Sequence, residues 1–310
     1  MKVVTVTPNP AIDHTAWVPG FTPGAVNRVV KDHLVPGGKG VNVAAVLAGW
    51  GVSTAATGFL GEENAGAFRS FLAGRGIADH FVPVPGLTRT GVTVVDDVAG
   101  TTTDLNFPGF EIGAAHVAAL RTAVEAVATA GRWVALAGSL PVGAPPDLYR
   151  QLGDLVHAGG GLVALDTSGA ALAEAMAGTP DLVKPNREEL EELTGRALPS
   201  PADLTAAARE LAGQGIATVV VSLGAEGALF VRDDLAVVAS PPPVRVASTV
   251  GAGDAMVAGT IAATIEDLPL PAVAALATAF AALAVSQVGA HLDRDAAMAL
   301  VPDVSVERLP

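Results

Sequence analysis

Trp133-Val134-Ala135-Leu136-Ala137 opens the unit that decides the fold, because a helical pattern over Pro146 to His157 follows it and a second apolar run, Leu162-Val163-Ala164-Leu165, closes it. Short runs that are apolar on both faces mark strands buried in a parallel sheet, and a helix between two of them makes a βαβ unit. The alternation extends in both directions. Strand-like runs fall at Val3 to Thr7, Ser53 to Gly58, Leu182 to Val183 and Thr218 to Ser222. Helical patterns separate them at Val41 to Trp50, Ala65 to Gly74, Ala114 to Ala130, Glu188 to Thr194 and Ala202 to Gly213. The expected fold is α/β with a mainly parallel sheet. Two segments break the rhythm: His14 to Val35 and Thr88 to Asn106 show strand-like alternation with turn residues (Pro19-Gly20, Pro23-Gly24, Ala99-Gly100) and no helix. They are expected to be antiparallel strands of a small β lid, inserted at about 14–35 and 88–106 into a single domain over 1–310.

With 310 residues, half of them hydrophobic, the chain can bury a substantial core. It has no cysteine, which excludes disulfides, thiolate zinc sites and cysteine nucleophiles. The strand-like start meets Pro8 before a signal-peptide hydrophobic region develops, and no apolar run reaches membrane-spanning length uninterrupted, Ala272 to Val288 coming nearest. A soluble cytoplasmic protein is expected. A net charge of -13 argues against a nucleic-acid or acidic-membrane binder, since counterion release needs clustered Lys and Arg. Any anionic substrate must therefore meet a local basic pocket. Lysine occurs only at Lys2, Lys31, Lys39 and Lys184, and two of these sit in Gly- or Pro-marked motifs, Pro36-Gly37-Gly38-Lys39-Gly40 and Lys184-Pro185-Asn186.

Ser248-Thr249-Val250-Gly251-Ala252-Gly253-Asp254 is where a polar loop turns into an Ala-rich helix. The N–H groups of residues 251 to 254 should point, unpaired, out of the helix start, an arrangement that attracts phosphate. Asp is also a favoured N-cap, which is the plainer explanation of Asp254. The neighbouring glycines tilt the balance. They let a ligand approach the backbone, and a carboxylate beside a bound phosphate is repulsive unless it takes a proton. Gly38-Lys39-Gly40 is not a Walker A loop, because Gly40 stands where Ser or Thr should follow the lysine, and no G-x-G-x-x-G is present. A P-loop ATPase and an NAD dehydrogenase are both poorly supported.

Five motifs occur in the order of the ribokinase-like carbohydrate kinases: Asn9-Pro10-Ala11-Ile12-Asp13, Gly37-Gly38-Lys39-Gly40-Val41-Asn42-Val43-Ala44, Lys184-Pro185-Asn186-Arg187-Glu188-Glu189, Ser222-Leu223-Gly224-Ala225-Glu226-Gly227 and Ser248 to Asp254. They span nearly the whole chain. Phe59-Leu60-Gly61, Thr88-Arg89-Thr90, Asn106 to Glu111 and Gly138-Ser139-Leu140-Pro141 make it most similar to the 1-phosphofructokinase and tagatose-6-phosphate kinase branch. The resemblance implies a Rossmann-like α/β/α sandwich with a β lid, and ATP and Mg2+ as cofactors. It also implies a homodimer paired through the lid strands.

By the same resemblance, Asp254 is the general base and Gly251, Ala252 and Gly253 form an anion hole for the transferred phosphoryl group. Asp13, Gly38, Lys39 and Asn42 hold the sugar, Arg28 and Arg89 meet its existing phosphate from the lid, and Ser139 is a further phosphate contact. Lys184, Asn186, Ser222, Gly224, Gly227, Ser248, Val250 and Ser286 surround the nucleotide. Asn186 and Glu189 complete an Asn-x-x-Glu pattern linked to magnesium, with Glu189 acting through water, although the same pair reads equally well as a capping box. The expected reaction is phosphorylation of a ketohexose monophosphate, D-fructose 1-phosphate ahead of tagatose 6-phosphate or fructose 6-phosphate. A catalytically silent sugar-phosphate or nucleotide sensor is the alternative from a different class, and Asp254 is the residue that separates the two.

Overall fold

The structure, a computed structural model, describes residues 1–310. Its main sheet has eleven strands. From one edge to the other they run Ser305–Leu309, Leu235–Ser240, Ala228–Arg232, Thr218–Ser222, Leu182–Val183, Leu162–Asp166, Trp133–Ala137, Val3–Thr7, Thr54–Gly61 and Ala78–Asp79, with Val82–Val84 pairing beside Thr54–Gly61. Every pairing from Thr218–Ser222 through Val3–Thr7 to Thr54–Gly61 is parallel. Only Ala228–Arg232, Leu235–Ser240 and Ser305–Leu309, at one edge, are antiparallel.

The central strands are buried along their whole length, as VVTVT over Val3–Thr7 and WVALA over Trp133–Ala137 show. Their side chains feed two cores, one on each face. Leu136, Leu152, Leu165, Val183 and Val219 belong to the first, and Val3, Ala135, Val257, Ile261 and Phe280 to the second. The helices Lys39–Trp50, Ala252–Ile265 and Leu270–Val285 cover the second face. The layers are therefore helix, sheet, helix, as expected. Most helix boundaries lie within a residue or two of the expected ones; Ala114–Val127 stops short of Ala130 because Thr129 and Gly131 turn the chain instead.

A second sheet of four strands stands apart, in the order Lys31–Gly37, Ala11–Trp17, Arg89–Asp96 and Thr101–Asn106. Its two hairpins are antiparallel, but the strands that join them, Ala11–Trp17 and Arg89–Asp96, run parallel, which corrects the expectation of purely antiparallel strands. Both of these strands leave the main sheet in the same direction, so topology rather than turn chemistry sets their relative sense.

Candidate active site

Parallel strands place whatever follows them along one edge, the usual ligand edge of an open α/β sheet. Asp166 ends one strand, Lys184 follows the next, and Asn9 and Ser139 follow Val3–Thr7 and Trp133–Ala137. Two helices begin at the same edge. Gly251, at φ 85°, is the N-cap of Ala252–Ile265, and Gly38, at φ 107°, is the N-cap of Lys39–Trp50. In the first of these helices the ladder starts with Ala255 N donating to Gly251 O at 2.9 Å, so the N–H groups of Ala252, Gly253 and Asp254 lie ahead of it. A Cβ on Gly38 would fall 3.0 Å from Pro10 Cα, and glycine also supplies the left-handed backbone there.

Between the two helix starts lies a buried charge cluster. Asn42 Nδ2 donates to Asp254 Oδ2 at 2.7 Å, and both residues are buried. Lys39 Nζ and Lys184 Nζ share one oxygen of Asp166, Oδ1, at 2.9 and 3.4 Å. Burial pushes the Asp254 carboxyl up to about 6, helped by the Asp166 charge and opposed by the Asn42 hydrogen bond and the two lysines. Asp166 feels the same burial, but there Lys184 and Lys39 outweigh it and hold the carboxyl below the usual range. Two buried carboxylates are thus set apart, one as a permanent anion and the other titrating near neutrality.

The four-stranded sheet closes the site from above. Side chains alternate across it, so Asp13, Val35, Gly91 and Asn106 share the face toward the helix starts. That face, with Asn42, Ser248 and Gly251, lines a cleft of ≈ 390 Å³. A wider surface hollow of ≈ 640 Å³ between helices Ala114–Val127 and Leu148–Ala158 shares no residue with it. A Cβ on Gly37 would fall 2.1 Å from Asp13 Oδ2, so glycine there is what gives the carboxylate its room. Burial pushes Asp13 up to about 6, against the pull of Arg89. Arg89 reaches Phe107 O at 3.3 Å and Asn9 O at 3.5 Å. Four of the six buried side-chain atoms that lack a partner, Thr7 Oγ1, Asn9 Oδ1, Arg89 Nε and Asp166 Oδ2, lie on this edge. Such groups are costly unless a polar ligand meets them.

The geometry fits phosphoryl transfer, and the comparisons decide the family. The model of the pfkB family carbohydrate kinases matches residues 5–297. The chain belongs to the pfkB family of carbohydrate kinases. The 1-phosphofructokinase of Rhodobacter capsulatus is 48% identical, over 100% of this chain and 99% of its own. The 1-phosphofructokinase of Escherichia coli K12 is 41% identical, over 92% of this chain and 91% of its own. Among solved structures, phosphofructokinase-2 from Escherichia coli in complex with substrates and products superposes with a TM-score of 0.93 at 30% identity, over 98% of this chain and 99% of that one.

The other expected residues of this pfkB kinase take up several places around the cleft. Ser222 pairs with Asn186 across a parallel bridge, and Ser222 N donates to Pro185 O at 3.0 Å, so these two lie together beside Lys184. Asn186 Oδ1 accepts from Glu189 N at 2.7 Å and Glu189 Oε2 from Asn186 N at 2.8 Å, which is the capping box. Ser248 N donates to Val285 O at 3.2 Å, bringing the loop with exposed Val250 against the end of Leu270–Val285. Ser286 sits at that helix's C-terminus with its hydroxyl bonded to Leu283 O at 2.7 Å. Gly224 and Gly227 shape the turn after Ser222; a Cβ on Gly227 would fall 2.0 Å from Ala239 O, so the hairpin alone already requires that glycine. Ser139 is exposed and accepts from Asn9 Nδ2 at 3.2 Å.

Arg28 is not brought to the cleft. It is exposed in the loop before Lys31–Gly37 and takes part in no ion pair or side-chain hydrogen bond. Asp166 lies in none of the sequence motifs, and Asn9 enters them only as the first residue of Asn9-Pro10-Ala11-Ile12-Asp13, with no role of its own. For Asp166 a signal existed, a carboxylate directly closing a buried apolar strand at the ligand edge.

Proposed function

We propose that this kinase transfers the γ-phosphoryl group of ATP to D-fructose 1-phosphate, giving D-fructose 1,6-bisphosphate. The observation that carries the reading is Asp254: a buried carboxylate pushed up to about 6, in the first turn of a helix that starts with Gly251 and Gly253. Ionised near pH 7 yet basic, it takes the proton of the acceptor hydroxyl. The N–H groups of Gly251, Ala252 and Gly253 hold the transferred group, and Lys39 and Lys184 offset its charge. A silent sensor would gain nothing from a carboxylate held against the phosphoryl group, so the enzyme reading is preferred.

Asp13, Gly38 and Asn42 hold the sugar hydroxyls, and Arg89 and Ser139 meet the phosphate already on the substrate. Lys184, Asn186, Ser222, Gly224, Gly227, Ser248, Val250 and Ser286 surround the nucleotide. No three His, Asp or Glu side chains come together as a cage for a metal ion. That fits magnesium carried in on the phosphates and held through water by Asn186 and Glu189, with the unpartnered Asp166 Oδ2 nearby. When bound, the ion neutralises charge on the phosphates. The whole chain works as one kinase domain, with the four-stranded sheet as lid and as the surface through which two copies pair. It acts in the cytoplasm, where ATP is supplied; no helix is long and apolar enough to cross a membrane.

Fructose 1-phosphate is preferred over the 6-phosphates because relatives named 1-phosphofructokinase reach 48% identity, whereas the phosphofructokinase-2 solved with fructose-6-phosphate is 29% identical. A side-by-side comparison of kcat/KM for fructose 1-phosphate, fructose 6-phosphate and tagatose 6-phosphate, with ATP and magnesium, tests it. Preference for either 6-phosphate would overturn the choice of substrate and leave the reaction type standing.

A further inference from the structure

Asn64 stands at the N-cap of the helix Ala65–Ala73, where an Asn side chain ordinarily accepts from a backbone N–H two or three residues on, yet it makes no capping bond. Its amide is committed to Thr88 instead. Asn64 Nδ2 donates to Thr88 O at 2.9 Å, and Asn64 Oδ1 accepts from Thr88 N at 2.9 Å, so one side chain brackets both polar groups of one residue. Thr88 is 1% exposed, and its hydroxyl accepts from Gly61 N at 2.9 Å. Gly61 is pressed so closely against it that a Cβ there would fall 2.2 Å from Thr88 N. Two further bonds, Glu62 N to Val84 O at 3.0 Å and Glu63 N to Gly86 O at 3.1 Å, tie the same two segments together.

Everything in this arrangement fixes one point of the chain. Thr88 is the last residue held by the body before the chain re-enters the four-stranded sheet, and Arg89 is the first residue of the strand Arg89–Asp96. Arg89 itself is loosely held, by one bond at 3.3 Å and one at 3.5 Å, and its buried Nε has no partner. A side chain so weakly tethered owes its place to its backbone. A residue that forgoes a locally favourable cap marks a position where something other than local stability is served.

We propose that Asn64 is a positioning residue for sugar-phosphate binding: its bracket on Thr88 pins the root of Arg89 to the body, so the guanidinium faces the anionic group of the substrate while the rest of the small sheet moves. This rests on the reading of Arg89 as the ligand of that group. Asn64→Ser removes the bracket while restoring a capping hydroxyl, which separates placement from helix stability. The thermal midpoint should fall only modestly, because the new cap offsets part of the loss of the two bonds to the buried Thr88 backbone. KM for the sugar phosphate should rise by roughly tenfold, the scale of one hydrogen bond's net worth, with kcat and the KM for ATP unchanged. Asn64→Asp keeps the acceptor and loses the donor, and should fall between. Arg89→Ala should raise the same KM by about a hundredfold, as removing one partner of a charge pair does. Adding Asn64→Ser to it should cost nothing more, because the two residues act as a unit.

If Arg89→Ala raises the sugar-phosphate KM and Asn64→Ser and Asn64→Asp do not, the bracket has no positioning role and the reading of Arg89 survives. An equal rise in both KM values for Asn64→Ser likewise overturns the proposal. An unchanged KM in Arg89→Ala overturns both.

Discussion

A carboxylate that accepts a proton from a sugar hydroxyl must be ionised at working pH and still basic, and at Asp254 burial and the Asp166 charge raise the pKa while Asn42 and the lysines keep it from rising further. Asp254→Asn should therefore lower kcat by about 10²- to 10⁴-fold, the usual worth of a general base, with ATP and sugar-phosphate dissociation constants intact. Near-native kcat in that variant would remove the base assignment. The same substitution has a stability consequence of opposite sign. Burial pushes the carboxyl up to about 6 in the folded chain from its ordinary 3.8 in the unfolded one, so the folded state binds this proton more tightly. Its stabilising contribution is fully present below pH 3.8 and is lost as pH rises through about 6. Asn cannot ionise, so the variant should be the more stable of the two at pH 8, and the gap should close near pH 4. Denaturant unfolding at the two pH values measures this; a variant less stable at pH 8 would contradict it. At this scale Asp254 was legible because two glycines and an apolar run frame it within one turn. Asp166 offers the sequence only its place at the end of a buried apolar strand, and its role appears when Lys39, 127 positions away, folds back onto it.

Helix starts carry the site, so the element-scale question is what glycine does there that alanine would not. Gly253 lies inside the first turn of Ala252–Ile265 in ordinary helical backbone, where alanine is the better helix former by about 1 kcal/mol. A Cβ added there would stand 3.2 Å from Lys184 Nζ, which is buried and held by Asp166. Gly253→Ala should thus keep or raise the thermal midpoint while lowering kcat, since the methyl crowds the lysine and the path of the phosphoryl group. Full activity would show that the backbone there is not approached by substrate. Elements were largely readable from pattern, since the runs at Val3 to Thr7 and Trp133 to Ala137 are short and largely apolar, which favours interior strands. What periodicity does not encode is the sense of pairing. Ala11–Trp17 and Arg89–Asp96 alternate as any strands do, and they are parallel because both leave the main sheet in one direction. Similarly, Asn186 and Glu189 look alike as a cap or as a metal motif; the capping box is formed, and it does not prevent the remaining lone pairs from holding water on magnesium.

For the whole molecule, the surface of the small sheet facing away from the cleft poses the remaining problem. Leu34, His14, Val92 and Leu105 lie in one row across its four strands, and Leu34 and Leu105 are 55% and 51% exposed. Both outer strands, Lys31–Gly37 and Thr101–Asn106, have a free edge, and Thr101–Asn106 is exposed along its entire length. Exposed apolar side chains beside unpaired strand edges are what sheet proteins ordinarily avoid unless another chain covers them. With a net charge of -13, chance association is disfavoured, so a surface of this kind is best accounted for by a matching copy of itself. Light scattering at micromolar concentration should give twice the chain mass of 30.9 kDa. Leu105→Asp should return the mass to one chain with the thermal unfolding of the main sheet unaltered, because Leu105 contributes to no core within its own chain. Scattering at one chain mass in the unaltered protein would remove the dimer, and a Leu105→Asp variant that remains double would move the interface away from this face.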